Sequence, residues 1–126
     1  MAISAGEMVA DAKSRIQNLG PDQVSSELAS GDATLIDIRE ANELEQNGRI
    51  PGAIHAPRGM LEFYADPTTQ YHRPEFDPTR RIILTCASGG RSALAADTLQ
   101  NMGYGNIAHL DGGFNAWKES GRPVEQ

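Results

Sequence analysis

Between Arg81 and Met102 the chain carries a pattern that few architectures accommodate. An apolar, β-branched run, Arg81-Ile82-Ile83-Leu84-Thr85, leads into Cys86-Ala87-Ser88-Gly89-Gly90-Arg91-Ser92. An alanine-rich segment follows, with Leu94, Leu99 and Met102 at helical spacing. The run reads as a buried strand, and Gly103 supplies a helix C-terminal stop. Cys86, the one cysteine of the chain, therefore stands at the end of a strand, on a small-residue loop that opens a helix. The first amides of a helix lack intrahelical partners and carry partial positive charge, so a thiolate there is stabilised. Gly89 and Gly90 let the backbone curl until several N–H groups face one anion. Arg91 adds a permanent charge and a planar donor fork. A cysteine that only filled core volume would need none of this.

The rest of the chain alternates in the same way. Residues Ala5 to Ser14 suit a first helix, with Met8, Val9 and Ala12 on one side, and Ile16 to Leu19 a short edge strand. Pro21 opens a helix running to Ala29, with Val24 and Leu28 inward, and Gly31-Asp32 turns the chain. Ala33-Thr34-Leu35-Ile36-Asp37-Ile38-Arg39-Glu40 reads as a buried strand that ends in charge. Met60 to Tyr64 suits a short helix, pairing Leu61 with Tyr64 and Met60 with Phe63. Asp66 to Asp77, with Pro-bounded turns and little periodicity, reads as an extended surface loop. Asn106 to Leu110 is the last strand. Phe114 and Trp117, three apart on one helix face, belong to the core. Gly121-Arg122-Pro123 ends that helix, and the tail beyond is expected to fray. Such alternation implies an α/β domain with a parallel sheet covered on both faces. In such sheets ligands sit beyond the carboxyl ends of the strands, where both Asp37 and Cys86 fall.

The loop resembles the active loop of the rhodanese sulfurtransferase family, a Cys, four residues and an Arg, often followed by Ser; Cys86, Arg91 and Ser92 fit it. Leu35-Ile36-Asp37-Ile38-Arg39-Glu40 is similar to the family's strand ending in Asp-x-Arg. Asn47-Gly48-Arg49-Ile50-Pro51-Gly52-Ala53-Ile54-His55 is similar to its Gly-His-Ile-Pro-Gly-Ala turn, with Arg49 in place of the His. Asp111-Gly112-Gly113-Phe114-Asn115-Ala116-Trp117 resembles its closing glycine pair and Trp. The resemblance implies a rhodanese-like three-layer fold, with a central, mainly parallel five-stranded sheet and helices on both faces. Residues 1–126 would form one domain, with 1–14 as an N-terminal helical extension. It also implies that Glu43 pairs with Arg91 and braces the loop, while Asp37 and Arg39 fix local geometry.

The implied reaction is transfer of sulfane sulfur from thiosulfate or a related donor through a Cys86 persulfide. The loop amides from Ala87 to Ser92 would hold the anion. Ser92 either donates its hydroxyl to the sulfur or caps the helix. Cyanide, a small thiol or a protein would accept the sulfur, and no cofactor or metal is needed. Seven of the eleven Lys and Arg residues lie between Arg39 and Arg91, which suggests a locally basic mouth. Arg58 is its candidate for steering an anionic substrate, whereas Arg73 reads equally as surface charge. A partner-dependent sulfur carrier or a regulatory binding module is the alternative. A phosphatase or arsenate reductase on this fold would use a Cys-to-Arg loop one residue longer.

Composition narrows the partners. At 126 residues with 39% hydrophobic content the chain can bury a core without staples. A net charge of −6 disfavours wholesale binding to nucleic acid or anionic membrane. No apolar run is long enough to span a bilayer. The first residues lack the basic start and apolar centre of a secretory signal. A lone cysteine suits a reducing compartment, by default the cytoplasm. His55, His72 and His109 are too scattered for a metal site, and each reads as a surface or partly buried polar residue.

Overall fold

The structure, a computed structural model, describes residues 2–126. Met1, the first residue of the expected extension, lies outside the described residues. Five strands form one parallel sheet in the order β1-β5-β4-β2-β3, with β1 Gln17–Leu19, β2 Ala33–Asp37, β3 Ile54–His55, β4 Arg81–Thr85 and β5 Ile107–Leu110. The helices are α1 Ala5–Lys13, α2 Pro21–Ser30, α3 Ala41–Asn47, α4 Leu61–Ala65, α5 Gly90–Asn101 and α6 Gly113–Glu119. A 3-10 turn, Arg58–Met60, leads into α4.

Side chains alternate across the central strands and divide the core into two layers. Ile36, Ile82, Leu84 and Ile107 face one side, with Leu61 and Ala65 of α4 and Ala95, Ala96 and Leu99 of α5. Leu35, Ile83, Ala108 and Leu110 face the other, with Val24 of α2 and Phe114 and Trp117 of α6. A strand buried on both faces reads as a continuous apolar run, which is why β4 has no polar alternation.

The chain leaves β2 through α3 toward β3 at one edge, and leaves β4 through α5 toward β5 on the other side. The reversal point lies between β2 and β4, and parallel sheets form crevices at such points. Asp37 and Thr85 are register partners there, and the Ile38 amide donates to the Thr85 carbonyl at 2.9 Å. The loops carrying Arg39 and Cys86 therefore start side by side.

Several expectations are corrected. Met8 and Phe63 are exposed, at 45% and 49%, because α1 and α4 each bury a single narrow stripe. The segment from Asp66 to Asp77 is anchored: Phe76 is buried, and the single hydrogen of the Tyr104 hydroxyl is shared between the Ala65 and Phe76 carbonyls, at 2.7 and 3.0 Å. The tail does not fray. Arg49 and Glu125 exchange backbone hydrogen bonds of 2.8 and 2.9 Å, and Val124 packs on the α2/α6 layer. Arg49 thus serves the tail. Pro51-Gly52 forms the expected turn, with Gly52 at φ +85° and the Ala53 amide donating to the Ile50 carbonyl.

Candidate active site

The site grows from the junction of β4 and α5. Cys86 follows the strand directly, and its side chain is 1% exposed, among Leu84, Ala95 and Ala96. Its Sγ also accepts from two backbone amides, Gly89 at 3.1 Å and Ser92 at 3.4 Å. Burial and a polar cradle coexist because the loop folds over the sulfur. Gly89 makes that fold, at φ +102° in the left-handed region, and a Cβ there would lie 3.0 Å from the Gly112 nitrogen. Of the amides from Ala87 to Ser92, Gly89 and Ser92 reach the thiol sulfur; Ser88 stands exposed at the rim.

The loop is held from below through its carbonyls. The Phe114 amide donates to the Cys86 carbonyl at 2.8 Å, and the Asn115 amide to that of Ala87 at 3.0 Å. These are unpartnered donors of the first turn of α6. With the carbonyls drawn toward α6, the amides further along turn toward the sulfur. Gly113 makes the contact possible, since a Cβ there would fall 2.5 Å from the Cys86 carbonyl oxygen.

Arg91 reaches sideways to α3. Its Nη1 and Nη2 donate to Glu43 Oε2 and Oε1, both at 2.8 Å. Arg91 is the main cause that holds Glu43 low, at about 2, and Glu43 raises Arg91 in turn. Glu43 Oε2 also accepts from the Glu40 amide at 2.8 Å, so the same carboxylate caps α3 and ties it to α5.

Asp37 and Arg39 do not touch the sulfur. Both are buried, and Arg39 donates through Nε and Nη2 to the Asp37 carboxylate and through Nη2 to the Gly48 carbonyl. Its guanidinium lies 4.3 Å from the Phe114 ring centroid. The pair thereby joins the end of β2, the turn at Gly48 and the first turn of α6. Arg58 bonds Glu62 at 2.9 Å, with no hydrogen bond to the loop. The arginine cluster makes no open basic mouth, because six of its seven members carry a carboxylate partner: Arg39, Arg49, Arg58, Arg73, Arg81 and Arg91.

Ser92 is not a cap. Gly89 occupies the N-cap of α5, and Ser92 lies inside the helix, fully buried. Its Oγ is 3.5 Å from Cys86 Sγ and 2.8 Å from His109 Nδ1. His109, expected at or near the surface, is fully buried on β5, on the same face as Ile107 and α5. Its Nε2 lies 2.8 Å from Asn18 Oδ1 on β1. Burial lowers its pKa to about 4. The signal was present in Ile107-Ala108-His109-Leu110, where a lone polar ring interrupts an apolar strand.

Comparison with known proteins finds that residues 20–120 match the model of the rhodanese-like domain. The chain belongs to the rhodanese-like family. Among similar proteins, a sulfurtransferase of Allochromatium vinosum is 31% identical over 110 residues, 86% of this chain and 94% of that protein. A solved structure from Rhodopseudomonas palustris, described as of unknown function and a possible tyrosine phosphatase, is 40% identical with a TM-score of 0.94, covering 99% of this chain and 96% of that one. The polysulfide-sulfur transferase homodimer of Wolinella succinogenes is 30% identical with a TM-score of 0.75, covering 94% of this chain and 84% of that one. Among the described residues no helix is long and apolar enough to cross a membrane.

Proposed function

We propose that this rhodanese-like protein transfers sulfane sulfur from thiosulfate, or a related donor such as a polysulfide, through a persulfide on Cys86. The observation that carries the reading is the cradle, in which Sγ accepts from the Gly89 and Ser92 amides at 3.1 and 3.4 Å. Donors fixed in place before reaction stabilise an anionic sulfur without reorganisation. In the first half-reaction the Cys86 thiolate attacks the outer sulfur of thiosulfate. The new S–S bond forms as the donor's own S–S bond breaks, and sulfite leaves with the electron pair. In the second, cyanide or a thiolate attacks the terminal sulfur and Cys86 departs as thiolate. Ping-pong kinetics follow. The covalent persulfide is the only carrier, without metal or organic cofactor. A reducing cytoplasm suits such chemistry, because it keeps a lone thiol available. The acceptor is a small thiol or a protein thiol.

The test is intact mass before and after brief exposure to thiosulfate, with Cys86→Ser alongside. Gain of one sulfur atom on the native chain alone, removed by cyanide, is the expected result. A folded protein with a titratable thiol and no gain, from thiosulfate or polysulfide, would reject it. Persulfide formation without steady turnover would instead mark a partner-dependent carrier.

The Rhodopseudomonas palustris relative brings a phosphatase reading with it. Two features of this chain oppose that reading. Four residues separate Cys86 from Arg91, a loop short for wrapping a tetrahedral phosphate. Both terminal nitrogens of Arg91 already donate to Glu43. Aryl phosphate hydrolysis that disappears in Cys86→Ser would reverse the judgement.

A further inference from the structure

A run of hydrogen bonds leads from the buried sulfur to the surface. Cys86 Sγ lies 3.5 Å from Ser92 Oγ, Ser92 Oγ 2.8 Å from His109 Nδ1, and His109 Nε2 2.8 Å from Asn18 Oδ1. Cys86, Ser92 and His109 are buried, whereas Asn18 is exposed on the edge strand β1.

Asn18 sets the direction of the whole run. Its Nδ2 donates to the Lys13 and Ile16 carbonyls at 3.0 and 3.2 Å, so its oxygen is the atom that faces the ring. An amide oxygen only accepts, and therefore Nε2 of His109 carries the hydrogen. Nδ1 is left with a lone pair and accepts from the Ser92 hydroxyl. The Gly89 carbonyl, at 3.3 Å, is the longer alternative for that hydrogen. With its hydrogen aimed at His109, Ser92 Oγ offers a lone pair to the Cys86 S–H.

We infer that Asn18, His109 and Ser92 form a proton relay for Cys86, in which the thiol proton passes to Ser92 Oγ while the serine proton passes to His109 Nδ1. The S–H bond breaks with its electron pair left on sulfur, one O–H bond replaces another, and an N–H bond forms. No heavy atom has to move. Afterwards the imidazolium Nδ1–H donates to Ser92, the hydroxyl donates to the thiolate, and Nε2–H still donates to Asn18. Every polar atom is satisfied before and after, as a buried network requires. The thiolate gains a third donor beside the two amides. His109 does not touch the sulfur; it is a positioning residue that holds the proton and acts through Ser92.

The surrounding charges leave the ring free to play this part. Lys13 of α1 and Asp111 beyond β5 are bound to each other at 2.8 Å and push the ring in opposite directions. Arg91 of α5 is engaged by Glu43. Just beyond β4 the titratable neighbour is Cys86 itself, and β1 contributes the uncharged Asn18. Burial keeps the ring neutral at rest, near 4, and in the relay it takes the proton only as negative charge develops on Cys86, since a nearby opposite charge favours the protonated ring.

The relay rests on Cys86 being the nucleophile, and its test is independent of any sulfur donor. The ultraviolet absorbance of the thiolate is followed against pH, with Cys86→Ser as blank, in native protein, His109→Leu and Asn18→Asp. His109→Leu removes the proton holder, and the thiolate fraction at a fixed pH below the midpoint falls about tenfold, as the titration midpoint moves up by about one on the pH scale. Asn18→Asp places a carboxylate on Nε2–H, strengthens His109 as a base, and raises the thiolate fraction. Its negative charge acting only through space would lower that fraction, so the sign decides. Circular dichroism establishes that each variant is folded. If His109→Leu does not fold, the sign in Asn18→Asp decides alone. An unchanged or lowered thiolate fraction in Asn18→Asp, or an unchanged or raised one in folded His109→Leu, overturns the relay. Absence of sulfur loading in the mass experiment, with both changes present, would instead count against the donor chemistry.

Discussion

The fold favours the ionised form of Glu43 and, at rest, the neutral form of His109, and the two act on acid stability in separate windows. Glu43 is held at about 2, against an ordinary value near 4.5, so the folded chain prefers its carboxylate. That contribution is complete above about pH 4.5 and is lost as the pH falls toward 2. His109 sits at about 4 against an ordinary 6.5, and the unfolded chain takes up its proton first. Its neutral, buried state therefore adds stability above about pH 6.5 that is lost as the pH falls toward 4. Thermal unfolding against pH is expected to show both steps, with the upper one reduced in His109→Leu and the lower one reduced in Glu43→Gln. Equal acid sensitivity in all three proteins would refute the assignment. Glu43 was legible because a family pattern places an acid at that position. His109 was legible only in part: a polar ring interrupting an apolar strand could be read, but its burial depends on β5 lying between β1 and β4, which no local pattern states.

Among the elements, α6 has a role that its seven residues do not advertise. Its first turn supplies the amides that hold the Cys86 and Ala87 carbonyls, and its Phe114 receives the Arg39 guanidinium. Gly113→Ala would bring a Cβ within 2.5 Å of the Cys86 carbonyl oxygen at a position with φ +61°. Backbone strain of that kind costs on the order of 1–3 kcal/mol, and the clash adds to it. A lower unfolding midpoint in urea and loss of sulfur loading are expected together. Normal loading in the variant would mean that the loop keeps its shape without this contact. The paired glycines could be read from the chain, but their partner could not, since β4 and α6 meet only after the sheet assembles. The anchoring of Phe76 beneath a polar loop escaped for the same reason: Tyr104, which fixes it, lies far along the chain.

Over the whole molecule the sheet was the legible part, because apolar runs alternating with helical stretches leave few options besides a parallel sheet covered on both faces. The closure of the tail was not legible, since three short contacts share the work. Glu125 pairs with Arg49, Val124 enters the α2/α6 layer, and the Trp117 indole donates to the Pro123 carbonyl at 2.8 Å. Deleting residues 124–126 is expected to cost about 1–3 kcal/mol, the scale of two lost backbone hydrogen bonds and one exposed Val. Urea unfolding measures it, and an unchanged midpoint would show that the tail merely rests on the surface. Finally, the walls that close over Cys86 also govern its company. A disulfide requires two sulfurs about 2.05 Å apart, with their Cβ atoms about 3.8 Å apart. With each sulfur only 1% exposed, two copies could not bring theirs so close unless the loop over Cys86 opened. The fold that covers the lone thiol thus also sets it apart from the same thiol of another copy.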